Sequence, residues 1–202
     1  PELYEMQVEA IIESVLKLQQ DDIKCQPEIM IPLVSTVEEF TTLKERLAAT
    51  ITQLENDANT KVNYLIGTMI ETPRACLIAQ HLAKHCDFFS FGTNDLTQLT
   101  YGFSRDDAGK FINVYTESNI LQLDPFQTLD TDGVGQLIQL AVEQAKQVKP
   151  EIKIGVCGEL GGDAKSIYQF NNWNIDYVSC SPFRVPGAIL ATAQSQAEES
   201  ER

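Results

Sequence analysis

Five short runs of apolar and β-branched residues, each followed by a stretch with helical spacing, constrain the fold of this chain most strongly. The runs are apolar almost throughout rather than alternating with polar residues, which is typical of strands buried on both faces of a parallel sheet. We therefore predict strands at Glu28–Val34, Val62–Ile70, Asp87–Gly92, Ile152–Val156 and Asp176–Cys180.

Helices are predicted before, between and after these strands. Ser35 and Glu38 have the spacing of a capping box, and Thr72-Pro73 supplies an N-cap followed by a proline at the first helical position. The predicted helices are Glu5–Gln19, Thr36–Glu55, Pro73–Lys84, Gly133–Val148, Ala164–Asn171 and Pro186–Ala197. The connection of about forty residues after Gly92 is long enough to be functional or to carry small elements of its own.

Repeated βα units form either an open doubly wound sheet or a (β/α)8 barrel, and periodicity alone does not choose between them. Five strands are too few to close a barrel, and the chain begins with a helix. No glycine-rich linker marks a second domain, so we expect residues 1–202 to belong to one domain.

The charge balance limits the partners of this chain. Twenty-nine Asp and Glu residues outnumber fifteen Lys and Arg residues, which gives a net charge of −14. Nucleic acid is therefore a poor partner for this surface. An anionic substrate would also be repelled, unless a metal ion or local amide groups cancelled the field.

Several features predict a soluble protein of a reducing compartment. No apolar run approaches the roughly 20 residues that a membrane helix requires, and the acidic start PELYEMQVEA does not have the composition of a signal peptide. Five cysteines with irregular spacing favour reduced thiols over a disulfide framework or a zinc site. We predict a cytoplasmic protein, with an organelle matrix as the alternative.

Acidic residues follow two consecutive predicted strands, and ligands of parallel α/β folds bind beyond the carboxyl ends of the strands. Glu71 follows the second strand and Asp95 the third, and neighbouring strands lie about 4.8 Å apart. Two carboxylates so placed can bind Mg²⁺, which would also neutralise the acidic surface. The alternative is that both acids stabilise the N-termini of helices.

The ends of the third and fourth predicted strands carry further candidate groups. The segment Gly92–Asp95 offers successive backbone N–H groups that can bind a carboxylate or phosphate, or it forms an ordinary Asx turn. Cys157 ends the fourth strand, where a protonated thiol can act as a general acid or can fill the core as a small apolar residue. The residues expected to be structural are His81, His85, Cys25, Cys76, Cys86 and Cys180.

Four ordered strings carry a family resemblance: GTMIETPRA, FFSFGTNDLTQLTYGFSRDD, IGVCGELGGD and DYVSCSPFRVPGA. Together with PELYEMQ and LDPFQTLDTDGVGQLI, they resemble the C-terminal domain of the pyruvate, phosphate dikinases. The wider family uses phosphoenolpyruvate and includes phosphoenolpyruvate synthase and Enzyme I of the sugar phosphotransferase system. The resemblance extends from Pro1 to about Gln194, and four motifs in order are far more specific than one.

The resemblance implies a (β/α)8 barrel of which this chain contains only the C-terminal portion, about five βα units. It implies that Glu71 and Asp95 bind Mg²⁺. It also implies that Asn94, with the turn around Thr93 and Asp95, binds the carboxylate and oxyanion of phosphoenolpyruvate or pyruvate. Cys157 then matches the residue that delivers or removes the proton at the reacting carbon.

The implied reaction transfers a phosphoryl group between pyruvate and a phosphohistidine on another domain of the full-length chain, by way of an enolate. Barrel domains of this family commonly form homodimers. Because the phosphate-clamping arginines, the phosphohistidine segment and the ATP-grasp domain are expected on other segments, we predict that the 202-residue chain alone is inactive. The long connection, with Tyr101, Phe103 and Arg105, is expected to help shield the enolate from water.

One departure from the dikinase pattern is Leu160, where dikinases usually carry histidine and Enzyme I carries leucine. The sequence therefore leaves phosphoenolpyruvate synthase and Enzyme I open as alternative enzymes. A non-catalytic dimerisation module that kept the fold is a third alternative, although the presence of Glu71, Asn94, Asp95 and Cys157 argues against a complete loss of chemistry.

Overall fold

The computed structural model describes the backbone of residues 1–200 and the side chains of residues 1–198. Within them, five parallel strands form one sheet: β1 (Glu28–Ile31), β2 (Leu65–Ile70), β3 (Phe88–Gly92), β4 (Lys153–Cys157) and β5 (Tyr177–Val178). The strands lie side by side in chain order, without the reversal of order that defines a doubly wound sheet. Sequential parallel order is that of consecutive barrel strands, so the alternative of a doubly wound sheet is wrong.

The helices follow the strands as the βα rhythm predicts. The long helices are α1 (Glu2–Gln20), α2 (Val37–Ala58), α5 (Thr93–Tyr101), α8 (Val134–Val148), α9 (Ala164–Asn172) and α10 (Val185–Ser200). The short ones are α3 (Pro73–Leu77), α4 (Ala79–Ala83), α6 (Arg105–Ala108) and α7 (Ile112–Glu117), with 3-10 turns at Glu159–Gly162 and Pro182–Arg184.

Several predicted strands are shorter than expected, as β1 and β5 show, and two other predictions of local structure need correction. The capping box begins one residue later than predicted, because the Thr36 hydroxyl accepts the Glu39 N–H (3.0 Å) while the Glu39 carboxylate accepts the Ser35 N–H (2.8 Å). The helix predicted over Pro73–Lys84 is two helices, since Ile78 leaves helical geometry with φ −113° and ψ 17°. The start of α3 is as predicted, with the Thr72 hydroxyl accepting the Ala75 N–H at 3.1 Å.

The two faces of the sheet differ in chemistry because side chains alternate along each strand. One face packs against the helices and forms the core, with Ile31, Ile66, Ile70, Phe89, Phe91, Ile154 and Val156 buried. The opposite, inner face carries Met69, Ser90, Gly155 and Tyr177, and its amino end holds a Lys153–Glu28 ion pair at 3.0 Å. The inner face is therefore the polar one, and the candidate active site lies at its carboxyl end.

The long connection after Gly92 has structure of its own, as its length predicts, and it begins with α5. It contains α6 and α7, and four aromatic rings pack in series along it. Tyr101 stacks on Phe103, Phe103 meets Phe111 edge to face, and Phe111 contacts Tyr115, with ring centroids 5.0, 5.0 and 5.3 Å apart. These contacts pack α7 and the segment after α5 against the end of α5.

Candidate active site

The carboxyl ends of β2, β3 and β4 lie at one level because of the sheet register. Gly92 at the end of β3 pairs with Cys157 at the end of β4, and Ile70 pairs with Phe91. Glu71, the residue after β2, therefore lies level with Gly92 and Cys157. By the alternation of side chains, both Glu71 and Cys157 belong to the inner face.

Glu71 and Asp95 come together at this level. Glu71 is only 3% exposed, and its carboxyl group is within hydrogen-bonding reach of that of Asp95. Burial raises the pKa of Glu71, the Leu33 N–H that bonds its Oε1 at 2.7 Å opposes this effect, and the Asp95 charge raises the pKa further. A divalent cation relieves such repulsion between two carboxylates.

The donor set fits Mg²⁺ better than a transition metal. Among the described residues, no group of three or more His, Cys, Asp and Glu side chains comes together as a metal site. A cation at Glu71 and Asp95 would thus bind two carboxylates and complete its shell with water or substrate oxygens, which is the usual pattern for Mg²⁺.

Two backbone features position the Glu71 carboxylate. A β-carbon on Gly92 would collide with Glu71 Oε2 and would lie 2.7 Å from Met69 Sδ, so only glycine allows this close approach. Leu33 adopts a left-handed conformation with φ 52°, which costs a non-glycine residue about 1–2 kcal/mol. That conformation accompanies the bond from the Leu33 N–H to Glu71.

Thr93, Asn94 and Asp95 form the first turn of α5 rather than an isolated Asx turn. The first N–H groups of a helix have no partner within the helix, and they favour anions. Gly92 at the N-cap has no side chain to bond them. The Thr93 hydroxyl donates to the Cys157 carbonyl at 3.2 Å, which joins this turn to the end of β4.

Cys157 is half-buried, and its thiol lies 3.4 Å from the Phe91 carbonyl oxygen. Burial raises the pKa of the thiol, a hydrogen bond with Ser90 opposes this effect, and the negative charges of Glu71 and Glu159 raise the pKa further. The thiol is consequently protonated at neutral pH. A protonated thiol can donate a proton to a reacting carbon.

Ser90 and Tyr177 also lie at this site, although neither was predicted from the sequence. The Ser90 side chain is buried and lies beside the Cys157 thiol and the Tyr177 phenol, whose pKa values it lowers. The Tyr177 ring lies against Gly155, where a β-carbon would overlap it. The sequence contains one signal for Ser90, since it is a polar residue within an otherwise apolar strand. It lies two residues before Gly92, so both face the same side of the sheet.

Glu159 is the centre of a second group that the sequence analysis did not identify. Its carboxylate accepts the Asn94 side-chain N–H and an Arg105 N–H, each at 2.7 Å. The Asn94 hydrogen bond lowers the pKa of Glu159, burial opposes this effect, and Arg105 lowers the pKa further. Arg184 donates to the Glu159 carbonyl at 3.2 Å, so four segments meet here.

The model of the PEP-utilising enzyme, PEP-binding domain matches residues 1–197. The chain belongs to this family. Curated relatives include pyruvate, phosphate dikinase 1, chloroplastic, of Arabidopsis thaliana, which is 50% identical over 194 residues. The pyruvate, phosphate dikinase of Rickettsia bellii is 48% identical over 197 residues.

These matches cover nearly all of this chain but only a small part of each dikinase. The matches cover 96% and 97% of this chain but 20% and 22% of the two dikinases, so the chain spans about a fifth of the length of its curated relatives. A crystal structure of a citrate lyase from Burkholderia xenovorans matches 82% of this chain and 48% of its own, with a TM-score of 0.53 and 14% identity. That likeness supports the predicted barrel-type α/β fold.

Other residues of this PEP-utilising family member lie outside the site. Leu160, the departure from the dikinase pattern, is 1% exposed and belongs to the apolar core. Cys76 and Cys86 are buried as expected, and burial raises the pKa of Cys76 to about 12. His81 lies on α4 in the outer layer. No helix among residues 1–200 combines the length and the apolar character needed to cross a membrane.

A cavity of about 750 Å³ lies away from these groups. It is bounded by Tyr101, Leu123, Asp130, Lys165 and Gln169, between the long connection and α9. Neither the acidic pair nor the thiol lines it. We place the candidate active site at the strand ends, because Glu71, Asp95 and Cys157 come together there and none of them lines the cavity.

Proposed function

We propose that this chain is the C-terminal phosphoenolpyruvate- and pyruvate-binding domain of a pyruvate, phosphate dikinase, a phosphotransferase, and that it belongs to a longer polypeptide. About 50% identity to dikinases over 96% of the chain supports this proposal. In that role, residues 1–202 are part of one barrel domain, and a phosphohistidine domain of the same polypeptide is its partner.

One observation carries the proposal: Glu71, which is paired with Asp95, and the protonated thiol of Cys157 share one level and one face of the sheet. Glu71 and Asp95 would hold the cation, and Cys157 lies across the same opening. Mg²⁺, when bound, would supply positive charge to an oxyanion. The N–H groups at Thr93 and Asn94 would bind the substrate carboxylate beside it.

The proposed reaction breaks the P–O bond of phosphoenolpyruvate and forms a P–N bond to the histidine, which leaves the enolate of pyruvate. The Cys157 S–H then gives its proton to the methylene carbon, so that pyruvate and a thiolate form. The thiolate regains its proton from water. The raised pKa of Cys157 suits this role, because the group must hold its proton until the carbanion appears.

The test separates binding from proton transfer in the complete polypeptide. Cys157→Ala should abolish exchange of solvent deuterium into the methyl group of pyruvate, yet keep Mg²⁺-dependent binding of oxalate, a mimic of the enolate. Cys25→Ala, at a half-buried cysteine in the segment before β1, is the matched control. Exchange at the wild-type rate in Cys157→Ala, or oxalate binding that does not need Mg²⁺, would refute the proposal.

Two further parts of the proposal concern the longer polypeptide. We propose that the 202-residue chain alone does not form pyruvate from phosphoenolpyruvate, and a measurable rate would disprove this. We also propose a homodimer, which sedimentation of the complete protein would test.

A protein that fails to bind oxalate with Mg²⁺ would instead fit the non-catalytic dimerisation module.

A further inference from the structure

We propose that Glu159 is a positioning residue, which fixes the side-chain amide of Asn94 so that an N–H group, rather than the carbonyl oxygen, faces the bound anion. This inference rests on the proposed function, since it assumes that Asn94 contacts the substrate. It assigns a task to a residue that sequence motifs alone do not distinguish from its neighbours.

The chemistry of an amide makes such a residue necessary. The oxygen and nitrogen ends of an asparagine side chain have nearly the same shape, so a rotation of 180° exchanges donor and acceptor. Only the nitrogen end attracts an anion. An ionised carboxylate can only accept hydrogen bonds, and therefore a glutamate beside Asn94 selects one of the two orientations.

The observed contacts have this form. Asn94 Nδ2 donates to Glu159 Oε2 at 2.7 Å, which uses one of its two hydrogens and leaves the second for a ligand. The other end of the amide, Asn94 Oδ1, is buried without a hydrogen-bond partner among the described residues. An unpaired buried acceptor costs about 1–3 kcal/mol. The orientation of the Asn94 amide is thus set by its hydrogen bond to Glu159, because the amide oxygen gains no hydrogen bond from it.

The surroundings of Glu159 fix it in turn. Arg105 from the long connection donates to Glu159 Oε1 at 2.7 Å, so each carboxylate oxygen has a partner. Gly158 has φ +94°, and a β-carbon there would lie 3.3 Å from Thr93 Oγ1 and 3.5 Å from Asn94 Nδ2. Glycine at this position lets the end of β4 approach the first turn of α5 closely enough for Glu159 to reach Asn94.

The experiment is a double-mutant cycle in the complete polypeptide, read as the Kd of oxalate with Mg²⁺ and as KM and kcat for phosphoenolpyruvate. Glu159→Gln keeps the shape but can also donate, so the amide of Asn94 is free to turn over. We expect oxalate affinity to fall about 10-fold, the lower end for residues that orient ligands. KM should rise while kcat stays, because both ground and transition states lose the same contact.

The second arm asks whether Glu159 acts through Asn94. In an Asn94→Ala background, Glu159→Gln should cause no further loss, because nothing remains to be oriented. Glu143→Gln is the matched control: Glu143 also accepts a side-chain amide N–H, from Gln139 at 3.0 Å on α8, and its replacement should leave Kd unchanged. A purely structural role for Glu159 would lower kcat through loss of folded enzyme and leave KM as it was.

The outcomes separate this inference from the proposed function. An unchanged Kd in Glu159→Gln, or an equal 10-fold loss in the Asn94→Ala background, overturns the positioning role while the proposed function stands. An unchanged Kd in Asn94→Ala overturns the substrate contact itself, and with it this part of the proposed function.

Discussion

Replacing Glu71 by glutamine should weaken cation binding strongly without harming the fold. Glutamine keeps the volume and an oxygen that can accept the Leu33 N–H now bonded at 2.7 Å. It removes the buried negative charge of Glu71, whose ionisation both burial and the Asp95 charge disfavour. We therefore expect the free energy of unfolding without Mg²⁺ to stay the same or to rise.

The loss of cation affinity can be worked out from the charges. A divalent ion about 2.1 Å from one negative oxygen gains about 4 kcal/mol even at the dielectric constant of water. The glutamine oxygen recovers part of this energy, which leaves an expected loss of about 2–4 kcal/mol. At 1.36 kcal/mol for each factor of ten, the Kd of oxalate with Mg²⁺ should rise about 30- to 900-fold.

Calorimetric titration of the complete polypeptide measures this change, and chemical denaturation measures the stability. Glu55→Gln is the control, because Glu55 is also buried and accepts a backbone N–H, from Val62 at 2.9 Å, but pairs with Lys61. That variant should lose stability and keep its oxalate affinity. Wild-type affinity in Glu71→Gln would refute the two-carboxylate site, and so would a loss of affinity that appears only with unfolding.

Three other predictions follow from local contacts. Gly155→Ala should destabilise the fold by about 1–3 kcal/mol, because the added methyl group overlaps the Tyr177 ring; unchanged denaturation would disprove the contact. Thr36→Ala should cost about 1 kcal/mol by removing the cap on the Glu39 N–H, and an equal denaturation midpoint would count against it. The rate of alkylation of Cys157, which requires the thiolate, should reach half of its maximum only at a pH above the ordinary pKa of 9.0, and a midpoint at or below 9.0 would contradict the raised pKa. The folded state should also lose stability as pH rises beyond 9.0, because the pKa of this thiol is higher in the folded than in the unfolded chain.

The site was partly predictable because parallel strands place their carboxyl ends at one edge. This rule alone was enough to expect Glu71 and Asp95 together, before any register was known. To predict the contact of Cys157 with Phe91, one would need the register of β3 and β4. These strands are separated in sequence by sixty residues of connection and helix. Such a register follows from the packing of the whole sheet.

What the sequence could not provide were pairings between groups far apart in the chain. Ser90 and Tyr177 meet because β4 lies between their strands and carries Gly155 where a side chain would block the contact. The break at Ile78 also had no sequence signal, since no glycine or proline lies within α3 and α4 after Pro73. Tertiary packing outweighed local helix propensity there.

Glu71, Gly92 and Cys157 lie at one level of the sheet, which fixes the distance between the groups that a ligand can contact. The backbones that carry the acid and the thiol are two strand spacings apart, about 9.6 Å. Hydrogen-bonded strands hold this width, so loop movements leave it unchanged. The two groups that a ligand contacts here must therefore lie within a few bonds of each other, and lengthening the surrounding loops would not change that spacing.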